Sequence, residues 1–443
     1  MFIKDNSVQE ISPEEANVLS RIANKPIKEL LIGNDNLIIY SNGQKDKIED
    51  QSIFNLEANK LFTNNLVGFI GINDLRVDIG SRFSEDHGKQ YFIQYMLQKI
   101  NKLTLFDFNS SHDNTNIWEQ ILYLIFPIFL KKAYNQGVFK IYQKRYYNDS
   151  NVKGKIEITN HLKTNLPFIG NVAYSNRELC FNNPVTQLIR HTIEFISGKN
   201  GFSRILNSTN EVINAVRTFK SITPDYHIKD RQNLIFQNFN KVNHPFFDQY
   251  EPLRKLCIQI LTNEGLSYRN SPNKVYGLLI NASWLWEEYL YTILNDLDFY
   301  HPENILRKGS LTLFAECQEL YPDFYNNVKR IVIDAKYKKM QYENKLSIDD
   351  IYQVVTYMYR LKAKYGVLLY PKVFCEGVNE YSSFKMHDDC YEGGESYFIK
   401  YGLNIPIESI NYNQYVESFI NPENELIKYV LEDIFKCNRI LTP

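Results

Sequence analysis

The hydrophobic positions in the C-terminal part of the chain follow two different periods. Between 275 and 297 the apolar residues recur at helical spacing, which predicts a single amphipathic helix. The runs 330–336 and 366–371 are short and rich in β-branched residues, as is typical of buried strands. A second helix is predicted to begin at Ser347, because Asp350 follows three residues later in a capping-box-like pattern. This order of helices and strands predicts an α/β domain.

The upstream patterns predict two further regions, so we expect a multidomain α+β protein. Residues 1–108 are rich in strand patterns and include a helix pattern at 90–101, which predicts a β-rich N-terminal domain. The polar stretch 109–116 is typical of a linker or an exposed loop. It opens a predicted middle domain, 109–270, which is mainly helical with extended segments inside it. The α/β domain then spans 271–443.

Composition narrows the class of protein. A net charge of −1 and 44% hydrophobic residues are typical of a soluble globular protein and exclude a generally polybasic one. The six cysteines are scattered without a C-x-x-C pair, which favours reduced thiols in a cytoplasm over a zinc ribbon. The N-terminus lacks a signal-peptide pattern, and the most apolar run, 121–130, is shorter than the ~20 residues of a membrane span. We therefore expect a cytoplasmic protein without membrane contact. The sequence has no P-loop, so we expect no nucleotide bound by this chain in that manner.

A constellation of acids and one lysine carries the candidate chemistry. Pro322-Asp323 precedes an Asn326-Asn327 turn, and Asp334-Ala-Lys336 follows within the predicted strand. Side chains alternate along a strand, so Asp334 and Lys336 are predicted to share a face. The turn is predicted to fold Asp323 back beside them in a hairpin. The pattern has the form PD…(D/E)xK of metal-dependent nucleases, so the C-terminal domain is predicted to have this restriction-endonuclease-like fold.

The charges of this trio suggest the reaction. Two hard carboxylates can hold Mg²⁺, for which Mn²⁺ can substitute, and the ion would activate water and offset charge on a phosphodiester. Lys336 would orient the water or stabilise developing negative charge. The alternative is a surface hairpin with an Asp–Lys ion pair, since D-x-K is common by chance.

Two flanking helices offer further candidates. Glu287, or its neighbour Glu288, could bring a third acid to the metal, although both could instead form a solvated helix face. Gln353 and Tyr357 are four residues apart on one helix face, and Gln353 is a candidate phosphate or water contact. The predicted catalytic residues are Asp323, Asp334, Lys336, Glu287 and Gln353. The predicted metal ligands are Asp323, Asp334 and Glu287.

A basic segment at 129–165 is the candidate DNA contact in the middle domain. It contains eight basic residues against two acidic ones, with tyrosines interleaved. Basic and aromatic side chains together can follow a phosphate backbone and stack on bases. The alternative is a solvated surface that packs on a protein partner. The predicted DNA-binding residues are Lys140, Lys144, Arg145, Lys153 and Lys155.

Several of these motifs resemble the McrC family. The C-terminal matches are the run 333–338 and the spaced residues within 350–357, and looser matches occur at 65–79 and 152–158. McrC proteins are the nuclease subunits of McrBC-type modification-dependent restriction systems. The resemblance implies an endonuclease that cuts modified double-stranded DNA in antiviral defence. It also implies that the N-terminal domain docks onto a McrB-like AAA+ GTPase oligomer and stimulates its GTP hydrolysis.

One segment departs from that family, and two other functions stay open. Many relatives have Pro-Lys after the strand that ends at Ile79, where this chain has Gly-Ser-Arg-Phe at 80–83. Partner contacts of the family are therefore not transferred to this segment. The alternatives are a stand-alone PD-(D/E)xK nuclease in repair or phage defence, and a non-catalytic AAA+ adaptor.

Overall fold

A computed structural model describes most of the 443 residues. The residues not described are 33, 35, 41–47, 74, 85–88, 102–116, 200, 241–243, 263–274, 303–310, 316, 340–346, 374–378, 407–410 and 434–443. The predicted linker at 109–116 and both predicted domain boundaries lie outside the described residues.

The described residues form strands and α-helices in the following chain order. The strands are β1 Phe2–Lys4, β2 Val8–Glu10, β3 Asn36–Tyr40, β4 Phe54–Glu57, β5 Lys60–Thr63, β6 Leu66–Ile72, β7 Leu75–Gly80, β8 Ile141–Asp149, β9 Lys155–Ile156, β10 Val172–Cys180, β11 Val275–Asn281, β12 Leu311–Thr312, β13 Glu319–Leu320, β14 Phe324–Asn326, β15 Ile331–Ala335, β16 Tyr365–Val373, β17 Glu380–Lys385 and β18 Tyr397–Ile405. The helices are α1 Pro13–Leu19, α2 Ile27–Leu31, α3 Tyr91–Ile100, α4 Ile117–Asn135, α5 Ile158–Thr164, α6 Pro184–Ser197, α7 Asn210–Ile222, α8 Arg231–Gln237, α9 Tyr250–Thr262, α10 Ala282–Leu294, α11 Ile348–Leu361 and α12 Tyr412–Lys428.

Short 3₁₀ helices and one π-helical segment complete the regular structure. The 3₁₀ helices are Ile48–Asp50, Phe202–Asn207, Ile228–Asp230 and Asn295–Leu297, and the π-helix is Tyr429–Asp433. The fold is a mixed α/β architecture with several sheets.

The chain divides into two compact units. Residues 1–121 and 268–443 together form the first unit, and residues 122–267 form the second. The first unit therefore contains both the strand-rich N-terminal part and the predicted site. The division of the chain into three domains remains a prediction made from the sequence.

The N-terminal sheet of the first unit has the order β1-β7-β6-β11-β3. β6 and β7 pair as an antiparallel hairpin, with Ile72 opposite Leu75, where the sequence resembles the early McrC hairpin. β11 is antiparallel to β6 and parallel to β3, although it comes some two hundred residues later in the chain. The buried residues of this sheet and of α1 and α2 form one hydrophobic core.

The helix predicted over 275–297 is wrong in its first third. Residues Val275–Asn281 form β11, and only Ala282–Leu294 are helical. A short apolar run fits a buried strand and a buried helix equally well by its pattern alone. Gly68 and Gly277 allow this run to pair as a strand with β6. The two strands approach so closely that an added Cβ would lie 2.0 Å and 2.3 Å from the facing carbonyl oxygens. Asn281 then begins the helix by accepting hydrogen bonds from two main-chain N–H groups.

The second main sheet of this unit has the order β14-β15-β16-β18-β17. Its three central strands, β15, β16 and β18, are parallel, and the two edge strands are antiparallel to their neighbours. The predicted strands 330–336 and 366–371 are confirmed as β15 and β16. α11 packs over β15 and β16, with Val354 and Met358 in the same core as Val332 and Leu368. The carboxyl ends of the parallel strands therefore meet beside α11.

A buried carboxylate ties three helices of the first unit together. Glu423 of α12 accepts hydrogen bonds from the hydroxyls of Tyr95 on α3 and Tyr289 on α10, at 2.7 and 2.8 Å. The ammonium of Lys99 lies 2.8 Å from its other oxygen. Tyr95 also stacks on Phe419 at a centroid distance of 4.3 Å. This packing fixes α10, the helix that carries Glu287.

The second unit is mainly helical around one small sheet. β8, β10 and β9 form a three-stranded antiparallel sheet, and helices α6 to α9 follow it in the chain. The extended segments expected inside the middle region are thus confirmed. Across the described residues of the whole chain, no helix is both long and apolar enough to cross a membrane.

Candidate active site

The predicted hairpin brings the two aspartates together. β14 pairs with β15 so that Phe324 faces Ile333, which sets Asp323 beside Asp334. The carboxylate of Asp323 accepts a hydrogen bond from the main-chain N–H of Ala335 at 2.7 Å. This bond fixes Asp323 at the end of β15, where the sequence predicts the site.

Asp334 on β15 and Lys336, the first residue after this strand, point to the same side, as the alternation of strand side chains predicts. Their Oδ2 and Nζ atoms lie 2.8 Å apart, and Asp334 is 1% exposed. Burial, followed by the charge of Asp323, raises the pKa of Asp334 to about 7. Burial alone would lower the pKa of Lys336, but the charges of Asp334 and Asp323 outweigh it and raise that pKa. The lysine is therefore held in its charged form.

Gln353 and Tyr357 extend the site onto α11. The carboxamide oxygen of Gln353 accepts a hydrogen bond from Lys336 Nζ at 2.8 Å, and its nitrogen donates to the Tyr357 hydroxyl at 2.8 Å. Tyr357 in turn donates to the main-chain carbonyl of Tyr321 at 3.1 Å. The shared helix face of Gln353 and Tyr357 is thus confirmed. The chain of bonds connects the lysine to the start of the hairpin.

The two candidate glutamates on α10 have different surroundings. Glu288 accepts a hydrogen bond from the indole nitrogen of Trp284 at 3.0 Å, and its charge contributes to the raised pKa of Tyr40. The charge of Glu287 instead acts on Tyr357, where it adds to the rise in pKa that burial causes. Glu287 is therefore the glutamate on the side of the site.

The start of α11 differs from the expected capping box. Ser347 makes no side-chain hydrogen bond to the helix, so that prediction is wrong. Asp350 lies buried and accepts two hydrogen bonds from Lys338 Nζ, at 2.9 and 2.8 Å. The Asp350 carboxylate, which would otherwise complete the cap, is instead bonded to the Lys338 ammonium, because a hydrogen bond from a charged donor is the stronger one. The negative charge of Asp350 contributes to the raised pKa of Asp334.

The paired aspartates fit a divalent cation. Both oxygens of Asp334 are buried, and neither accepts a hydrogen bond of good geometry from the described residues, although Lys336 lies beside one of them. A second carboxylate, Asp323, increases the local negative charge, which an oxygen-preferring cation would offset. Across the described residues, no three His, Cys, Asp or Glu side chains come together as a ready metal cluster. Glu287 as a third ligand therefore stays a prediction.

The comparison with known protein families shows to which family the chain belongs. A family model described as McrBC 5-methylcytosine restriction system component matches residues 61–371. The chain belongs to this McrBC family. The match covers the N-terminal hairpin, the second unit and the Asp323–Lys336 hairpin together.

Two solved structures from Thermococcus gammatolerans are similar to this McrBC-family chain. One is a chain of a refined half-complex from the tetradecameric assembly of McrB AAA+ hexamers with bound McrC, at 14% identity and a TM-score of 0.50. That alignment covers 96% of this chain and 99% of the other, so the two share a fold. The other is a cryo-EM structure of the McrBC complex, at 14% identity and a TM-score of 0.32, with 68% of this chain and 89% of that one covered. No curated protein matches the sequence.

The predicted DNA-binding residues of this McrBC-family chain are not all on one face of the β8-β10-β9 sheet. Lys144 and Lys155 lie on the same face of the β8-β10-β9 sheet, by strand register, and Lys144 pairs with Glu157 at 2.6 Å. Arg145 points to the opposite face, where the Cys180 side chain raises the pKa of its guanidinium. Lys140 precedes β8, and Lys153 lies exposed before β9. Their contact with DNA stays a prediction.

One residue of the site has no signal in the sequence. His301 donates a hydrogen bond from Nδ1 to the main-chain carbonyl of Asp323 at 2.6 Å, since a carbonyl can only accept. Its ring also stacks on Phe324 at 4.7 Å. His301 is 22 residues from Asp323 and belongs to no motif, so only the folded structure shows that it supports the hairpin.

Proposed function

We propose that this chain is the DNA-cutting subunit of a McrBC-like restriction system. It would hydrolyse phosphodiester bonds with Mg²⁺, under the control of an AAA+ GTPase partner whose GTP hydrolysis it stimulates. The observation that carries the proposal is the convergence of Asp323, Asp334 and Lys336 at the carboxyl end of β15. Membership of the McrBC family supports the same reading.

The roles of the residues follow from their charges. Asp323 and Asp334 would hold the cation, which supplies an activated water and charge neutralisation when bound. Lys336 stays protonated beside them and can donate hydrogen bonds to a phosphate oxygen as negative charge develops there. Gln353 on α11 accepts a hydrogen bond from the Lys336 ammonium, and this bond would keep the ammonium in position during the reaction.

Positive charge on the same face of the sheet supports a polyanionic substrate. Register places Asp334 beside Leu368 and Leu368 beside Lys400, so Lys400 lies on the site face two strands away. Its ammonium lies 5.4 Å from the Tyr370 ring centroid, and within the described chain no carboxylate pairs with it. Lys372 is on the same face and pairs with Glu380. The unneutralised charge of Lys400 favours a phosphate backbone.

The partner is proposed from family and fold. The structural relative with the TM-score of 0.50 comes from an assembly of McrB AAA+ hexamers with bound McrC. The family description names a 5-methylcytosine restriction system. We therefore propose a McrB-like AAA+ GTPase as partner and methylated double-stranded DNA as substrate.

A cleavage assay with matched variants tests the proposal. Purified full-length chain is incubated with Mg²⁺ and methylated or unmethylated duplex DNA, with and without the AAA+ GTPase of the same genome. We expect cutting of methylated DNA only with the partner and GTP, and its loss in Asp334→Asn and Lys336→Ala. Asp388→Asn and Lys339→Ala, both at exposed positions, are the charge-matched controls and should cut normally.

Each contrary result has a distinct meaning. Cutting that survives in both Asp334→Asn and Lys336→Ala would show that the site is elsewhere. Strong cutting without any partner would identify a stand-alone nuclease. Stimulation of GTP hydrolysis with no cutting by the native chain would identify a non-catalytic adaptor.

A further inference from the structure

The segment that follows β7 lies directly against the residue after Lys336. The hydroxyl of Ser81 and the hydroxyl of Tyr337 are hydrogen-bonded at 2.8 Å. The ring of Phe83 meets the Tyr337 ring edge-on, at a centroid distance of 5.1 Å. All three side chains are buried. The N-terminal sheet therefore contacts the main candidate site one residue away from its lysine.

Arg82 makes the central contact of this junction. Its guanidinium donates to the main-chain carbonyl of Tyr337 at 3.2 Å and lies over the Tyr337 ring at 4.9 Å. The same group donates to the carboxylate of Asp5 at 2.9 and 2.6 Å and also to the side-chain oxygen of Asn65. Arg82 is 8% exposed and Asp5 is fully buried. The guanidinium thus joins the residue after β1, the residue before β6 and the Lys336–Tyr337 segment.

The location of Lys336 explains why this contact matters. β15 ends at Ala335, so Lys336 is the first residue beyond the strand. Its N–H donates to the carbonyl of Leu369 at 2.9 Å, which fixes its main chain on one side. On the other side Tyr337 is held by Arg82, Ser81 and Phe83. The direction of the Lys336 side chain therefore depends on both attachments.

A buried ion pair is a costly way to fill this space. Desolvating a guanidinium and a carboxylate offsets most of their attraction, and apolar side chains of similar volume often serve stability as well. What the pair adds is a fixed direction, because a planar guanidinium bonded on several sides cannot rotate. Here that fixed group holds the main chain beside the lysine.

We propose that Arg82, fixed by Asp5, is a positioning residue for Lys336. By holding Tyr337 it keeps the Lys336 ammonium within reach of Asp334 and Gln353. The inference rests on the proposed function, because it concerns the rate of the same cleavage reaction. It makes the N-terminal sheet part of the catalytic apparatus rather than a separate docking module.

The test uses two conservative variants in the full-length chain with its partner. Arg82→Lys keeps a positive charge beside Asp5 but loses the fork that reaches Tyr337. Tyr337→Phe keeps the ring and loses the hydroxyl bond to Ser81. We expect kcat for DNA cleavage to fall about tenfold in Arg82→Lys and about threefold in Tyr337→Phe. KM for DNA should stay within about twofold, because no phosphate contact is removed.

A double-mutant cycle separates positioning from general stability. Arg82→Lys and Gln353→Ala both act through the same lysine, so their effects on kcat should combine to less than their product. Arg76→Lys is the matched control, since Arg76 pairs with Asp78 and lies over Phe69 in the same sheet. Its kcat should be unchanged.

The failures of this inference and of the proposed function can be told apart. Cutting by Lys336→Ala in the same assay would overturn the proposed function. Loss of cutting in Lys336→Ala together with normal kcat in Arg82→Lys, a raised KM, or fully multiplicative effects would overturn the positioning role alone. Should Arg82→Lys not fold, Tyr337→Phe combined with Gln353→Ala gives the same comparison.

Discussion

The side-chain oxygen of Gln353 accepts a hydrogen bond from the ammonium of Lys336 at 2.8 Å. The two residues are 17 positions apart and lie on different elements, α11 and the end of β15. The same carboxamide donates to Tyr357, which is bonded to the hairpin at Tyr321. Both ends of Gln353 are therefore engaged, and its orientation is determined by its partners.

Replacing this amide should slow cleavage without removing it. In Gln353→Ala the Lys336 ammonium loses its hydrogen bond to the Gln353 oxygen but keeps Asp334 at 2.8 Å. We expect kcat to fall about tenfold and KM for DNA to change little. Single-turnover cleavage with Mg²⁺ measures the effect, and Thr356→Ala on the same helix is the control. An unchanged rate would show that Gln353 has no part in the reaction.

The two glutamates of α10 give a paired prediction. Glu287 acts on Tyr357 at the site, whereas Glu288 is bonded to Trp284. Glu287→Gln should therefore raise the Mg²⁺ concentration needed for half-maximal cutting, by about tenfold. Glu288→Gln should leave it within about twofold. Titration of cleavage against Mg²⁺ measures both, and a reversed order would assign the third acid to Glu288.

The sequence predicts the local part of this site well and its distant part poorly. Asp323, Asp334 and Lys336 could be found because a hairpin and strand alternation relate near neighbours. Arg82 could not, because its contacts with Tyr337 bridge 255 residues and have no periodic signature. The pattern of β11 predicts a helix rather than a strand because its partners, β3 and β6, are far away in the chain. Such long-range contacts are decided by tertiary packing, which no local pattern encodes.

A cation at the aspartates should be detectable without any cleavage. The raised pKa of Asp334 means that its ionised form is disfavoured in the folded, metal-free protein. Asp334→Asn should therefore raise the melting temperature in the presence of EDTA at neutral to alkaline pH, by roughly 2–4 °C. Mg²⁺ should stabilise the native chain and not this variant, since a ligand shifts stability only where it binds. Asp388→Asn should behave like the native chain in both conditions. Equal stabilisation of Asp334→Asn by Mg²⁺ would place the cation elsewhere.

Lys400 should contribute to the binding of DNA. Burial lowers its pKa, and the described residues provide no carboxylate to pair with it. Lys400→Ala should weaken binding of duplex DNA in EDTA and reduce the slope of log K against log salt by about 1. Lys385→Ala is the control, because Lys385 is already paired with Glu395 at 2.5 Å. An unchanged salt slope in Lys400→Ala would exclude a phosphate contact there.

The second unit carries a buried histidine that should make its stability depend on pH. His191 is fully buried, and neither ring nitrogen has a hydrogen-bond partner among the described residues. Burial, followed by the charge of Arg231, lowers the pKa of His191 to about 4 from an ordinary value of 6.5. The folded state thus favours the neutral ring, so this contribution is complete above pH 6.5 and is lost as pH falls towards 4.

The loss should be about 2 kcal/mol between about pH 7.5 and about pH 5, since the unfolded chain takes up the proton first. Chemical unfolding at the two pH values measures it, with the signal of the second unit followed separately. His191→Leu should remove this part of the pH dependence, and His227→Leu, at an exposed position, should retain it. The same pH dependence in His191→Leu as in the native chain would assign it to other groups.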